Sequence, residues 1–259
     1  MRSGEKMANK TPEWVTAMQK RFARYAIPFV FGPVGVSRRY RMATCLVVDF
    51  SDIAFVVTAA HVLKEAIACG ATAGSGYEWG ADNVRLDTVR SGPTIDEDLD
   101  LATIRIEHRR LALLEERDYL IVRPESWPPP QLRLNDGILM FGYPKNLQRQ
   151  VPEEHEIDAL SESRLALIER MDTNSFTCLM QPAYTDRTGI PGEELPAIQE
   201  VGGFSGGPAF LVRNDDPILT PRLCGVVSEG TNIADGIIFL KVARLDSIRR
   251  DGTIVRRTS

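Results

Sequence analysis

Nowhere in the 259 residues does an apolar run approach the roughly 20 residues that a membrane-spanning helix needs. The first 25 residues, MRSGEKMANKTPEWVTAMQKRFARY, scatter charge throughout and hold no apolar core ahead of a small-residue cleavage site, so a standard secretory signal is not expected. An excess of one charge is missing too: 31 Lys+Arg stand against 35 Asp+Glu, a formal net charge of -4. Basic residues gather as doublets, Arg38-Arg39, Arg109-Arg110, Arg249-Arg250 and Arg256-Arg257, which read as solvated surface. Neither a nucleic-acid nor a membrane partner is expected. Cysteine is scarce: Cys45, Cys69, Cys178 and Cys224 lie far apart, with no C-x-x-C pair and no histidine beside them, which argues against a zinc site. Cys45, Cys178 and Cys224 fall inside apolar runs, where a thiol packs as a small hydrophobe. All four are read as reduced, which implies a reducing, cytoplasmic compartment. Glu153-Glu154-His155-Glu156 has metal-ligating residue types but follows the polar Gln148-Arg149-Gln150 and reads as a solvated loop. No metal and no cofactor are expected.

What the chain has instead is short, β-branched apolar runs separated by turn residues, the pattern of an all-β architecture. Candidate strands cover 26–32, 42–50, 53–59, 83–90 and 99–106, then 137–144, 163–170, 175–182, 207–213, 222–228 and 236–242. Between the two sets lies RPESWPPPQ (123–131), whose three consecutive prolines cannot sit inside a sheet and make a stiff connector. The expected organisation is a helical extension over 1–25, a first β-unit over 26–122, the linker 123–131, a second β-unit over 132–245 and a tail over 246–259. Each unit is read as a small barrel or sandwich. Helix is sparse: 11–25 opens on Thr-Pro with a helical period, and 61–69 has room for two turns.

The strongest local signal is Gly202-Gly203-Phe204-Ser205-Gly206-Gly207-Pro208. A serine between glycines suits a tight turn that exposes the hydroxyl and aims successive backbone N–H groups outward. Such N–H groups can hold an oxyanion, each worth on the order of 3 kcal/mol in a transition state. A glycine-rich hairpin is the plainer reading. The segment also satisfies G-x-S-x-G, the nucleophile elbow of α/β-hydrolases. In that fold the histidine follows the serine, whereas His61, His108 and His155 all precede Ser205. That reading fails.

His61 ends the run Phe55-Val56-Val57-Thr58-Ala59-Ala60, so its imidazole is expected at a strand end facing a cleft. The acid lies in Asp96-Glu97-Asp98-Leu99-Asp100, ahead of Leu101-Ala102-Thr103-Ile104. A carboxylate at the mouth of a buried strand can accept the Nδ1–H of an imidazole and fix its tautomer. Asp100, directly before the apolar run, is best placed, and Asp98 is the alternative.

TAAHVL, DLATI and GGFSGGPAF, in that order, together resemble the three motifs of the chymotrypsin/trypsin-like serine peptidases, and the chain is more similar to their cysteine-poor bacterial branch. GYP at 142–144 and Gly225-Val226-Val227-Ser228-Glu229-Gly230 extend the resemblance over roughly 26–245. It implies two packed six-stranded Greek-key barrels and a serine endopeptidase acting on a protein or peptide. Ser205 is implied as nucleophile, His61 as general base and acid, and Asp100 as the orienting carboxylate. The N–H groups of Gly203 and Ser205 are implied as the oxyanion hole. Ser228, Glu229 and Gly230 are implied as the edge that binds substrate backbone. Gln199, Glu200, Asp235 and Gly236 join them around the specificity pocket.

Two departures from the resemblance stand out. Phe204 occupies the place where zymogen-activated relatives carry an aspartate that pairs with a newly freed N-terminus, so that switch is not expected here. No cysteine follows His61, so the loop disulfide of secreted relatives is missing. Glu200 and Asp235 suggest a preference for Lys or Arg at the cleaved position. The long stretch 183–198 could gate the pocket, and the helical segment 11–25 could pack on the barrels or receive a regulatory partner. A protease-fold binding module without turnover, and an acyl hydrolase acting on esters, are the competing functions.

Overall fold

The computed structural model describes residues 13–31, 41–73, 77–79, 84–86, 92–124, 127–151, 156–159, 161–180, 185–187, 202–213, 222–232 and 238–257. The first half contains α1 (Glu13–Ala23), β1 (Ile27–Phe31), β2 (Arg41–Asp49), β3 (Ala54–Thr58), α2 (Ala60–Ala73), β4 (Tyr77–Trp79), β5 (Val84–Leu86), β6 (Thr94–Asp96), β7 (Leu101–Ile106) and α3 (His108–Glu116). The second contains β8 (Gly137–Gly142), β9 (Gln148–Val151), β10 (Glu156–Ala159), β11 (Glu162–Met171), β12 (Ser175–Met180), β13 (Thr185–Arg187), β14 (Pro208–Val212), β15 (Arg222–Asn232) and β16 (Ile238–Arg244).

Alternation along these strands sorts apolar side chains into three cores, because successive residues of a strand face opposite sides. In β3, Ala54 and Val56 enter the first core while Phe55 and Val57 enter a second. β2 divides likewise, Cys45 and Val47 against Leu46 and Val48. From the other half, Leu139 and Phe141 of β8 and Phe210 of β14 join that second core, while Ile138, Met140, Ala209 and Leu211 fill a third. The second core is therefore the layer between the two β-units. Strands buried on both faces explain why the runs read as continuously apolar rather than alternating.

All strand pairs among the described residues are antiparallel, with one isolated parallel bridge between Val48 and Val122. The second unit closes on itself: β12-β16-β15-β14-β8-β11 run in order and β11 pairs back with β12, a six-strand barrel, with β13 added outside β11. In the first unit the described strands form a five-stranded sheet, β1-β2-β3-β7-β6, with β4 and β5 paired separately. Helix is more extensive than expected. α2 runs 14 residues rather than two turns. α3, which buries Leu111 and Leu114 amid charged residues, was not anticipated. α1 packs on the second unit through Phe22, whose ring lies 5.3 Å from that of Phe210, and through Gln19 Nε2, which donates to Ser163 Oγ at 3.2 Å. No helix among the described residues is long and apolar enough to cross a membrane. The four cysteines are free thiols, and burial pushes that of Cys178 up to about 12.

Asp136 braces the entry to β8. Its carboxylate accepts from Arg213 Nη2 at 2.9 Å and Nε at 3.2 Å, and from the Arg133 N–H at 2.8 Å. Burial alone would raise this carboxyl, but the hydrogen bonds from Arg213 and the Arg133 N–H outweigh it and hold it below the usual range. A lowered native pKa stabilises the fold above the unfolded value, near ~3.9, and that contribution disappears as pH falls through the native value. Arg213→Ala should therefore melt lower than wild type at pH 7, with the gap closing below about pH 4. Thermal melts across pH 2 to 7 check this, and a gap that persists in acid would refute it.

Candidate active site

β3 ends at buried Thr58, and the equally buried Ala59 and Ala60 that follow line the first core. Their small side chains let the chain turn directly from strand into α2, with His61 as its second residue. The imidazole faces outward, its side chain 53% exposed. Opposite it, the loop joining β6 to β7 is closed by Leu99 N–H donating to Asp96 Oδ1 at 3.0 Å and by Asp100 N–H donating to Glu97 O at 3.2 Å. Asp100 adopts φ +50, a left-handed conformation that costs on the order of 1 kcal/mol in a non-glycine residue. In that position Oδ1 accepts the His61 backbone N–H at 2.9 Å, and Nδ1 of the ring lies 3.0 and 2.8 Å from Oδ1 and Oδ2. An ionised carboxylate there keeps the proton on Nδ1 and leaves the lone pair on Nε2.

The four acids of this loop are divided among three partners. Glu97 meets Lys64 Nζ at 2.9 Å, Asp96 and Asp98 both meet Arg256, and Asp100 meets His61. The contact left open between Asp98 and Asp100 thus falls to Asp100. Arg256 is half exposed, as its doublet suggested, yet ion-paired.

The serine turn sits where the two units meet. Phe204 is buried in the third core, 1% exposed, and anchors the turn from beneath. Gly206 N–H donates to Val227 O at 2.7 Å, and Gly207 N–H to Phe204 O at 2.8 Å. Glycine is required at both positive-φ positions of the turn. At Gly203 (φ +98) a Cβ would stand 2.0 Å from Tyr143 O, and at Gly206 (φ +87) it would stand 1.9 Å from Thr44 O and 2.3 Å from Thr58 Oγ1. Among the described residues, neither the Ser205 hydroxyl, nor Nε2 of His61, nor the N–H groups of Gly203 and Ser205 have a hydrogen-bond partner. All four remain available to a bound molecule.

Thr44, which nothing in the motifs singled out, ties this turn to the first unit. Its N–H donates to Ser205 O at 3.1 Å and its hydroxyl to Gly203 O at 2.6 Å, while that hydroxyl accepts the Tyr143 N–H at 3.1 Å. Its carbonyl accepts from Thr58 Oγ1 at 2.9 Å. The available signal was a lone hydroxyl residue inside the apolar run MATCLVV. Tyr143 is held in turn by donating its phenol to Ala26 O at 3.2 Å, and burial raises that phenol far above its usual range, so it stays a neutral donor.

Ser228, Glu229 and Gly230 lie in β15, at and just after a bulge, with Glu229 and Gly230 paired to Lys241 and Leu240 of β16. β14 pairs with β15 only as far as Val226, so beyond Val227 the other edge of β15 has no strand partner among the described residues. Ser228 turns inward, its Oγ donating to Lys241 O at 3.1 Å. Gln199, Glu200, Asp235, Gly236 and His155 lie outside the described residues, as does most of 183–198.

Two antiparallel β-units packed across a shared apolar layer, with the site at their junction, make the chymotrypsin-like fold. The model of the Trypsin family matches residues 24–248, and the chain belongs to that family, a family of serine peptidases. Among solved structures it is similar to the protease Anisep from Arthrobacter nicotinovorans, at 13% identity over 86% of this chain and 90% of that one, with a TM-score of 0.45. It is also similar to the thermostable serine protease AL20 from an extremophilic microorganism, at 14% identity over 85% and 91%, with a TM-score of 0.43. No curated protein matches it.

Thr44→Val keeps the shape of the side chain and removes its hydroxyl. It should strand the buried Tyr143 N–H and Gly203 O and destabilise the protein by roughly 1–3 kcal/mol. Urea unfolding of the variant checks this, and an unchanged midpoint would count against Thr44 as the joint.

Proposed function

We propose that the protein is a serine endopeptidase acting through an acyl-enzyme, with Ser205 as nucleophile, His61 as base and acid, and Asp100 as the orienting carboxylate. The observation that carries this reading is the double contact of Asp100 with the ring and backbone nitrogens of His61, together with a serine turn whose Gly203 and Ser205 N–H groups have no hydrogen-bond partner among the described residues. Ser205 Oγ attacks the substrate carbonyl as its proton passes to Nε2 of His61. The oxyanion so formed accepts from the Gly203 and Ser205 N–H groups. His61 then returns the proton to the leaving amine, and water repeats the sequence to release the acid. Asp100 stays ionised throughout and stabilises the imidazolium. The contact from Ser205 Oγ to Nε2 closes when substrate is engaged, as catalytic hydrogen bonds commonly tighten on binding. The edge of β15 at Glu229 and Gly230, without a strand partner among the described residues, suits an extended substrate added as a further strand.

A fluorophosphonate probe should label wild type and leave Ser205→Ala unlabelled. Folded wild-type protein that resists labelling would make this a binding module instead. Asp100→Asn should lower kcat by about 10⁴-fold through the wrong imidazole tautomer. Steady-state kinetics on a cleaved peptide measures that, and a change of less than about tenfold would remove Asp100 from the mechanism. The preference for Lys or Arg, supported by the acids Glu200 and Asp235, should appear in peptide-library profiling. Cleavage after apolar or acidic residues would reject it.

A further inference from the structure

Residues 249–257 follow the span matched by the family model, yet they return to the first β-unit. The tail folds on itself first: Arg249 N–H donates to Thr253 O at 2.8 Å and Val255 N–H to Ser247 O at 2.8 Å. Thr103 of β7, three residues beyond Asp100, donates its hydroxyl to Gly252 O at 2.6 Å. Arg257 is pinned by Asp246 at 3.0 Å and by Asn174 Oδ1, which accepts its N–H at 2.9 Å. Between these fixed points Arg256 reaches the acid loop, with Nε donating to Asp96 Oδ2 at 2.6 Å and Nη1 paired with Asp98.

The Asp96 carboxylate is shared between two tasks. One oxygen takes the guanidinium, and the other takes the Leu99 N–H that closes the loop. Burial would raise this carboxyl, but the hydrogen bonds from Arg256 and from the Leu99 N–H hold it low, so it stays ionised through neutral pH. The loop needs such support for two reasons. Asp100 stands in a left-handed conformation that local preference does not favour. Four carboxylates also crowd positions 96, 97, 98 and 100, where like charges push one another apart. Lys64 covers Glu97; among the described residues, Arg256 alone covers Asp96 and Asp98.

We propose that Arg256 is a positioning residue for Asp100, holding the acid loop in the geometry that orients His61, and that the tail beyond the family domain is thereby part of the working site. This rests on the endopeptidase reading above. Without Arg256, Asp96 and Asp98 lose their counter-charge, the Asp96 cap on Leu99 loosens, and Asp100 shifts relative to the imidazole.

The test compares wild type, Arg256→Ala and Arg256→Lys with a peptide substrate. Arg256→Ala should lower kcat about tenfold with KM unchanged, because a misplaced group costs rate rather than binding. Arg256→Lys, which keeps the charge, should recover most of that loss. Amide hydrogen exchange at Leu99 and Asp100 should speed up in Arg256→Ala and return towards wild type in Arg256→Lys. An active wild type whose kcat and loop exchange are both unaffected by Arg256→Ala would overturn the proposal and leave the endopeptidase reading standing. A folded wild type without Ser205-dependent labelling would overturn that reading, and the proposal with it.

Discussion

Thr44 has no exposed surface and uses its N–H, hydroxyl and carbonyl at once. The serine turn depends on that. A buried polar atom deprived of its partner costs more than a typical hydrogen bond contributes, so these bonds behave as one joint that is made whole or not at all. The joint belongs to β2 of the first unit, while the turn it grips belongs to the second. Gly206 can approach Thr44 and Thr58 only because it has no side chain, and Phe204 fastens the same turn to the third core. The site therefore exists only where both units are folded and docked, and the apolar layer between them is a structural part of it.

The two sides of the site are held by different forces. The serine side is fixed by neutral hydrogen bonds and apolar packing in a water-poor interior. The acid side is a charged surface loop, with Asp98, Glu97 and Arg256 all substantially exposed. Exposed ion pairs are screened within about 10 Å at 0.1 M salt, whereas buried contacts scarcely respond. Ionic strength thus acts on how Asp100 is presented to His61 far more than on the shape of the serine turn.

Much of this was legible in the sequence because the decisive residues are unusual for their surroundings. Glycines on both sides of Ser205 mark a turn that no ordinary strand would need, and the small residues before His61 mark an abrupt exit from β3. The apolar runs were recognisable as strands, though not as strands shared by two cores, because that depends on what lies on each face. Position before the apolar run favoured Asp100 over Asp98, but the contacts that tell them apart are made by His61 and by Arg256, the latter 160 residues from Asp96 along the chain. Thr44 escaped notice for a similar reason: its partner Gly203 is 159 residues away. α3 was hidden because two buried leucines among charged neighbours make a weak helical stripe. The pocket residues proposed from resemblance, Gln199, Glu200, Asp235 and Gly236, fall outside the described residues and gain no position from the fold.

Phe204 has a consequence for the conditions under which the site keeps its form. A turn anchored by an ion pair answers to the protonation of its partners. This one is anchored by an aromatic ring among Met140, Ala209, Cys224 and other apolar side chains, with no carboxylate or histidine in that cluster to titrate in acid. Apolar burial weakens on cooling. The footing of the Ser205 turn is accordingly indifferent to acid and loosens in the cold.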